Sequence, residues 1–172
     1  MEQVAEVFLQ VGGVTVVTNA ELAGPVGALL PQVAVCVNPD SSPGLFSSVL
    51  AGLAVLPPAT RHVFVHPVDC PLSTAEVPRR MLKALDPLEG TTAASVLVPV
   101  SGGRRGHPVL LSERAIGDLS SRPASAVFSE ELERFNPVEV SVEVDEILRN
   151  INTPGDLADL VDGSGHQRRD GR

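Results

Sequence analysis

A chain of 172 residues has the length of a single domain, and its hydrophobic fraction of 43% is ample for one buried core. Its formal net charge of −8 at pH 7 opposes binding to phosphate backbones, and no apolar run approaches the roughly 20 residues that span a membrane. We therefore expect neither nucleic acid nor a membrane as a partner. The chain starts without the positive charges of a secretion signal, and its two cysteines lack the paired spacing of a zinc site, so a cytoplasmic protein is expected.

The first half of the chain alternates between helical spacing and short β-branched runs. These patterns predict a helix over 2–10, a strand over 14–18, a helix over 19–32, a strand over 33–37 and a buried helix over 45–56. Residues 39–44 are rich in Pro, Asp, Ser and Gly, which favour turns. With five Phe and no Trp or Tyr, the core must consist of aliphatic residues, as is typical of strands buried on both faces.

The second half continues this alternation. A strand over 63–65 leads into a stiff segment with two prolines, and Ser73 to Glu76 have the pattern of a capping box that begins a helix. Further patterns predict strands over 94–98, 107–111 and 138–144, a glycine-rich basic loop over 102–106, and helices after Ser112, over 125–135 and after Thr153.

The alternation of strands and helices along the whole chain predicts an α/β fold with a mostly parallel sheet and helices on both faces. In such sheets, ligands bind beyond the carboxyl ends of the strands. We expect one domain over residues 1–162 and a disordered tail over 163–172, where nothing apolar can be buried.

Asp69 is the strongest candidate for chemistry because it follows an apolar strand and lies between Pro67 and Pro71. A carboxylate held in this way is suited to bind a hard cation such as Mg²⁺. The alternative is an Asp that caps the next helix. A second oxygen ligand could come from residues 150–154, although these also fit a simple helix entry.

Three residues in and after the glycine-rich loop form a second candidate group. Arg104 and Arg105 could bind an anionic substrate through forked hydrogen bonds, or they could be solvated charges in a hairpin. His107 could bind a heterocycle or titrate near neutral pH, or it could be structural. All three follow a predicted strand, so they could converge with Asp69 and Gly44 on one cleft.

Together these segments resemble the MobA-like NTP transferase family, particularly its molybdenum cofactor cytidylyltransferase branch. The matching stretches, in order, are 38–39 with Gly44 and 48–53, HPVDCPL at 66–72, GRRGHPV at 103–109 and NINTPGDL at 150–157. The resemblance covers nearly all of residues 4–161. It implies a three-layer Rossmann-like sheet of the nucleotide-diphospho-sugar transferase type.

The resemblance also implies an activity. Such enzymes transfer a nucleotidyl group from CTP or GTP to a phosphorylated acceptor such as a molybdopterin cofactor, with Mg²⁺ as cofactor, and here CMP is favoured over GMP. Asp69 would be the main metal ligand and Asn152 the second. The remaining implied roles are nucleotide binding by Gly44, Ser48 and Asp69, and acceptor binding by Arg104, Arg105, Gly106 and His107.

The chain departs from the family pattern at its start. The family begins with a strand and the loop L-A-A-G-x-S-x-R-x-G, which holds the triphosphate, whereas Met1 falls partway through the family's first helix. Because that strand is normally central, its neighbours are expected to lose hydrogen bonds. A second copy or a partner chain is then expected to cover the exposed sheet, and full activity is not expected.

Three hypotheses follow. The chain is a nucleotidyltransferase whose true start lies upstream, or an inactive relative that acts as a binding or assembly module, or an unrelated α/β domain. The sequence leaves the base preference, the acceptor and the oligomeric state open.

Overall fold

Helices and strands alternate along the chain in the computed structural model, which describes residues 1–85, 95–153, 155, 156 and 158. In chain order, the elements are α1 (Glu2–Leu9), β1 (Thr15–Thr18), α2 (Ala20–Leu29), β2 (Ala34–Val37), α3 (Leu45–Ala54), β3 (His62–Val65), α4 (Glu76–Leu85), β4 (Val96–Ser101), β5 (Arg104–Arg105), β6 (Val109–Ser112), α5 (Glu113–Ser120), α6 (Phe128–Glu133), β7 (Val138–Ser141) and a 3-10 helix (Asp145–Leu148). The tail expected over 163–172 lies outside the described residues.

Local side-chain hydrogen bonds explain where several helices begin. The Asn19 carboxamide accepts from the Leu22 N–H at 2.9 Å at the start of α2, and the Ser112 hydroxyl accepts from the Ala115 N–H at the start of α5. The predicted capping box of α4 is wrong in its first residue. Ser73 instead donates to the Glu146 carboxylate at 2.9 Å, because the chain folds the 3-10 helix against this turn.

The strands form a sheet of two and a sheet of five. β1 pairs in parallel with β2, and the larger sheet has the order β3, β6, β4, β5, with β7 parallel to β4. β6 is antiparallel to both β3 and β4, so β3, β4 and β7 all run in one direction. The carboxyl ends of these three strands therefore meet at one edge, where a site is expected.

Helices cover both faces of the larger sheet. Leu97 and Leu110 face a cluster with Met81 of α4 and Val7 of α1, whereas their neighbours in the strands face a cluster with α3, α5 and α6. This alternation follows from the two-residue period of a strand. The predicted α/β architecture, with helix layers on both sides of a Rossmann-like sheet, is confirmed.

Each sheet ends in a strand with an unpaired edge. Within the described parts of the chain, β1 pairs only with β2, and β3 pairs only with β6. Every residue of Thr15–Thr18 and His62–Val65 is half-buried, whereas β4 and β6 are almost completely buried. These edges thus retain backbone groups that have no ladder partner, as the departure from the family pattern predicted.

Two helices, α1 and α3, contact both sheets. In α1, Ala5 packs in the small cluster with Val26 and Leu30, while Val7 packs in the cluster of the larger sheet. In α3, Gly52 lies against Val17 of β1, and Val49 belongs to the second cluster of the larger sheet. Helices α1 and α3 therefore each pack against both sheets. In the described part of the chain, no helix is long and apolar enough to cross a membrane.

Candidate active site

Asp69 lies in a tight loop, here called the Asp69 loop (residues 66–70), that begins where β3 ends. The Cys70 N–H donates to the Pro67 carbonyl at 3.2 Å, which closes the turn. Cys70 is only 1% exposed, whereas Asp69 is half-buried. The backbone of the loop is thus anchored in the core while the Asp69 carboxylate keeps access to solvent.

A second segment, residues 147–151, packs against this loop and is called the clasp segment below. The Ile151 N–H donates to the Asp69 carbonyl at 2.7 Å, and the Cys70 thiol donates to Asn150 Oδ1 at 3.4 Å. The same thiol lies 4.0 Å from Asp69 Oδ1. Asn150 was quoted only as part of a motif in the sequence analysis, yet it is the asparagine whose side chain meets this loop.

Two histidines lie at the Asp69 loop: His66 is its first residue, and His107 lies next to His66. His66 Nε2 lies 2.9 Å from the Cys70 carbonyl, so this nitrogen carries the proton and donates. The rings of His66 and His107 meet edge to face with centroids 6.3 Å apart. Nδ1 of both rings is buried without a hydrogen-bond partner among the described residues. The structure therefore brings His107 next to Asp69, as expected from the positions of their strands.

Burial controls the protonation of this cluster. It lowers the pKa of His66 from 6.5 to about 4, an effect that the hydrogen bond to Cys70 and the charge of Asp69 only partly oppose. Burial also lowers the pKa of His107 and raises the pKa of the Cys70 thiol to about 11. At neutral pH the site thus contains two neutral imidazoles, a neutral thiol and the Asp69 carboxyl group.

The depressed pKa of His66 predicts a loss of stability in acid. The folded chain keeps His66 neutral down to pH about 4, while the unfolded chain binds the proton below about 6.5, so stability falls as the pH drops through this window. Between pH 7 and 4.5, the free energy of unfolding should fall by about 2 kcal/mol more in the wild type than in His66→Gln. Urea unfolding at several pH values measures this difference, and parallel profiles for the two proteins would contradict it.

Gly106 is required by packing against the clasp segment. A Cβ atom at this position would lie 2.2 Å from the Ile147 carbonyl oxygen, well inside van der Waals contact. The Gly106 N–H donates to the Pro99 carbonyl at 2.9 Å, and the His107 N–H donates to the Ile147 carbonyl at 3.1 Å. These bonds hold His107 at the edge of the sheet, beside the Asp69 loop.

The two arginines of the basic loop have different surroundings. Gly102 and Gly103 form the turn with positive φ values of 55° and 75°, and the next two residues form β5. The Arg105 guanidinium is ion-paired with Glu133 at 2.6 Å and Glu139 at 2.8 Å, which raises its pKa. Arg104 is exposed. An anion could thus reach Arg104 directly, whereas Arg105 would have to exchange its carboxylate partners.

Gly44 and Ser48 belong to a separate cluster at the carboxyl end of β2. Gly44 precedes α3 with φ 104°, a conformation that side chains rarely adopt. Ser48 accepts a hydrogen bond from the Asn38 carboxamide at 3.0 Å, and Ser47 accepts another at 3.0 Å. The 6% exposed Asn38 therefore fixes both the turn and the first turn of α3. Sequence reasoning used Asn38 only as a family match and missed this organising role.

Asn152 lies at the entry to the last helical segment. Its backbone N–H and that of Thr153 donate to the Asp156 carboxylate at 2.9 and 2.8 Å, and the Thr153 hydroxyl accepts from the Asp156 N–H. These hydrogen bonds lower the pKa of Asp156. The predicted Thr153 cap is therefore present. Asn152 is exposed, and the asparagine that contacts Cys70 is Asn150, two positions earlier.

The oxygen donors at this edge suit a hard cation that also binds phosphate. In the described residues, no three His, Cys, Asp or Glu side chains are grouped to hold a metal by themselves. Mg²⁺ needs only one or two protein carboxylates when phosphate oxygens and waters complete its octahedron. The Asp69 carboxylate fits that requirement, whereas a four-ligand zinc site does not fit the described residues.

Known proteins are similar to this chain in sequence. The model of the MobA-like NTP transferase domain matches residues 1–134. The molybdenum cofactor cytidylyltransferase of Escherichia coli (strain K12) is 28% identical over 126 residues, which cover 73% of this chain. The chain spans 61% of the length of that relative.

Solved structures share the fold. Rv0371c from Mycobacterium tuberculosis H37Rv superposes with a TM-score of 0.74 at 21% identity, over 94% of this chain and 83% of that chain. The same protein in complex with manganese gives 0.72 at 20% identity, over 94% and 85%. The 4-diphosphocytidyl-2C-methyl-D-erythritol synthase from Anaerococcus prevotii DSM 20548 gives 0.65 at 14% identity, over 91% and 80%. At these identities the likeness shows a common fold.

Proposed function

Since the chain belongs to the MobA-like NTP transferase domain family, we propose that it is a nucleotidyltransferase that takes CTP in preference to GTP. The observation that carries this proposal is the half-buried Asp69 carboxylate, which is held at the common carboxyl edge of β3 and β4 with its loop anchored in the core. The proposed acceptor is a phosphorylated small molecule such as a molybdopterin. The cytidylyltransferase similarity supports both choices.

In this proposal the chain's residues bind and orient, and no side chain acts as a nucleophile. Asp69 and Asn152 would hold Mg²⁺, and the manganese complex of Rv0371c supports a divalent cation at this fold. When bound, the cation would neutralise charge on the phosphate oxygens, while positioning of the two substrates supplies the remaining rate. Gly44 and Ser48 would lie along the base and ribose.

The acceptor would bind on the other side of Asp69. Gly106 and His107 would face it, since the neutral His107 ring sits beside the Asp69 loop. Arg104 is exposed and could bind the acceptor phosphate directly. Arg105 could bind the phosphate only after its ion pairs with Glu133 and Glu139 break. Neutral imidazoles next to the carboxylate avoid adding charges that would compete with the cation for it.

A nucleotide titration tests the proposed function. CTP and GTP are added separately with Mg²⁺ while thermal unfolding of the wild type and Asp69→Ala is followed. At 100 times its Kd, a ligand of the folded state should add about 2.7 kcal/mol of stability. We expect stabilisation by CTP that depends on Asp69. No response to either nucleotide would contradict the proposal.

The unpaired edges of β1 and β3 favour a second candidate, a binding module that does not catalyse transfer. The segment bound there would be an extended apolar stretch of polypeptide, because only a backbone offers both the N–H and the C=O groups that an unpaired strand edge requires. Such β-strand addition is a common mode of peptide recognition.

Hydrogen exchange tests this second candidate. Without a partner, amides in β1 and β3 should exchange faster than those in β4 and β6, since only one edge of each outer strand is paired. A valine-rich strand peptide with terminal lysines should slow exchange in β1 and β3 together. The same peptide with a central proline should not, because proline lacks the N–H donor. Equal exchange with both peptides would exclude strand addition.

A further inference from the structure

Four hydrogen bonds converge on two adjacent residues of the Asp69 loop. The Asp69 carbonyl accepts from Ile151, the Cys70 carbonyl accepts from His66, the Cys70 N–H donates to Pro67, and the Cys70 thiol donates to Asn150. Two of the four come from the clasp segment, which is about 80 positions later in the chain. The bond from the Cys70 N–H to the Pro67 carbonyl already closes the turn, so the two bonds from the clasp segment are not needed for that.

We propose that Asn150 and Cys70 are positioning residues that fix the direction of the Asp69 carboxylate through the clasp segment. The inference rests on the proposed role of Asp69 as a metal ligand. Neither residue needs to touch the metal or the nucleotide. Their shared hydrogen bond holds residue 150 against the loop. The N–H of the next residue, Ile151, then donates to the Asp69 carbonyl at 2.7 Å.

The surroundings of Cys70 suit a hydrogen-bond donor. The residue is 1% exposed, and the two oxygens nearest its sulfur are both acceptors, Asn150 Oδ1 at 3.4 Å and Asp69 Oδ1 at 4.0 Å. The thiol therefore lies between an acceptor of the clasp segment and an acceptor of the Asp69 loop.

The clasp segment also connects the two sides of the site. Ile147 in the same segment accepts the hydrogen bond of the His107 N–H and packs against Gly106. The proposed metal ligand and the proposed acceptor contact are thus both held by one five-residue segment. Loosening residue 150 should affect the Asp69 side first, because Ile151 is the next residue in the chain, whereas Ile147 is three positions away.

Binding of Mn²⁺ alone, followed by electron paramagnetic resonance, tests the proposal. We expect Asn150→Ala and Cys70→Ala each to raise the Kd for Mn²⁺ about ten-fold, as is usual when the partners of a metal ligand are removed. The double variant should be no weaker than the worse single variant, because both changes remove one shared bond. Cys70→Ser, which keeps a donor, should recover most of the affinity.

Ser112→Ala is the matched control for lost stability. It removes the cap of α5 at the end of β6 that pairs with His62, the first residue of β3, and so lies at the far end from the Asp69 loop. We expect this variant to be less stable but to bind Mn²⁺ as the wild type does. If Ser112→Ala and Asn150→Ala lose the same amount of affinity for Mn²⁺, the loss is explained by lower stability alone. That result would overturn the proposal.

A second measurement does not depend on the metal. The Ile151 amide donates to Asp69, so its hydrogen exchange should become about five- to ten-fold faster in Asn150→Ala and Cys70→Ala, and stay unchanged in Ser112→Ala. If the wild type fails to bind Mn²⁺ even when CTP is present, while Ile151 responds in this way, the proposed function fails and the positioning stands. If the Ile151 exchange is unchanged in Asn150→Ala, the positioning itself is overturned.

Discussion

Replacing Gly106 with alanine is expected to lower the free energy of unfolding by about 3 kcal/mol, the upper part of the range for overpacked sites. The added Cβ would lie 2.2 Å from the Ile147 carbonyl oxygen and 2.8 Å from its carbon, and both are backbone atoms that cannot move away alone. Relief requires separation of the basic loop from the clasp segment. The bond from the His107 N–H to Ile147, 3.1 Å long, would be strained or lost with it.

Gly117→Ala is a matched control with the opposite expected sign. Gly117 is exposed within α5, and nothing lies within 4 Å of the position of an added Cβ. Alanine should therefore stabilise the chain by about 1 kcal/mol through the higher helix propensity. Thermal unfolding of the two variants and the wild type measures both expected changes in stability. A Gly106→Ala protein as stable as Gly117→Ala would show that the clasp segment does not pack against residue 106 in solution.

The order of helices and strands could be predicted because it depends on local patterns. Apolar residues repeat at helical spacing in α1 and α3, and β-branched runs mark β1 and β2, so each element is visible without its neighbours. The location of Asp69 at a strand end follows in the same way. The α/β layering then follows from the alternation, since each element must bury its apolar face against another.

Pairing between strands could not be read from the sequence. The insertion of β6 between β3 and β4, antiparallel to both, joins residues that are about 45 positions apart in the case of Phe64 and Leu110. No local pattern encodes such a partner. The same holds for Arg105, whose sequence context suggested either an anion contact or a solvated charge. Its carboxylate partners, Glu133 and Glu139, come from α6 and β7.

In the candidate site, too, the positions of residues along the strands could be predicted, whereas contacts between distant segments could not. The sequence placed Asp69 and His107 at strand ends, and the structure brings them together around His66. It favoured Asn152 as the second oxygen ligand, while the contact with the Asp69 loop is made by Asn150. Two asparagines two positions apart in an irregular segment cannot be distinguished by pattern. Only the path of the backbone after the 3-10 helix decides which of them turns toward Cys70.

Replacing Asp69 with asparagine is expected to reduce Mg²⁺-dependent pyrophosphate release from CTP and a phosphorylated acceptor at least about 100-fold. The substitution keeps the size of the side chain, and it leaves in place the bond from the Ile151 N–H to the Asp69 carbonyl and the bond from the Cys70 N–H to the Pro67 carbonyl. It removes the negative charge and replaces one carboxylate oxygen with an NH2 group, which cannot bind a hard cation. The loss should therefore appear in the rate of release and in metal affinity, with unfolding in the absence of metal little changed.

Asp118→Asn is the matched control, because it makes the same change at an exposed position of α5. Its rate should equal that of the wild type. If Asp69→Asn releases pyrophosphate at the wild-type rate, the metal must be held elsewhere and the proposed site is wrong. If the wild type binds CTP with Mg²⁺ but releases no pyrophosphate, the site binds the nucleotide but does not catalyse transfer with these residues alone. The unpaired edges of β1 and β3 would then be the first place to add a partner strand and measure release again.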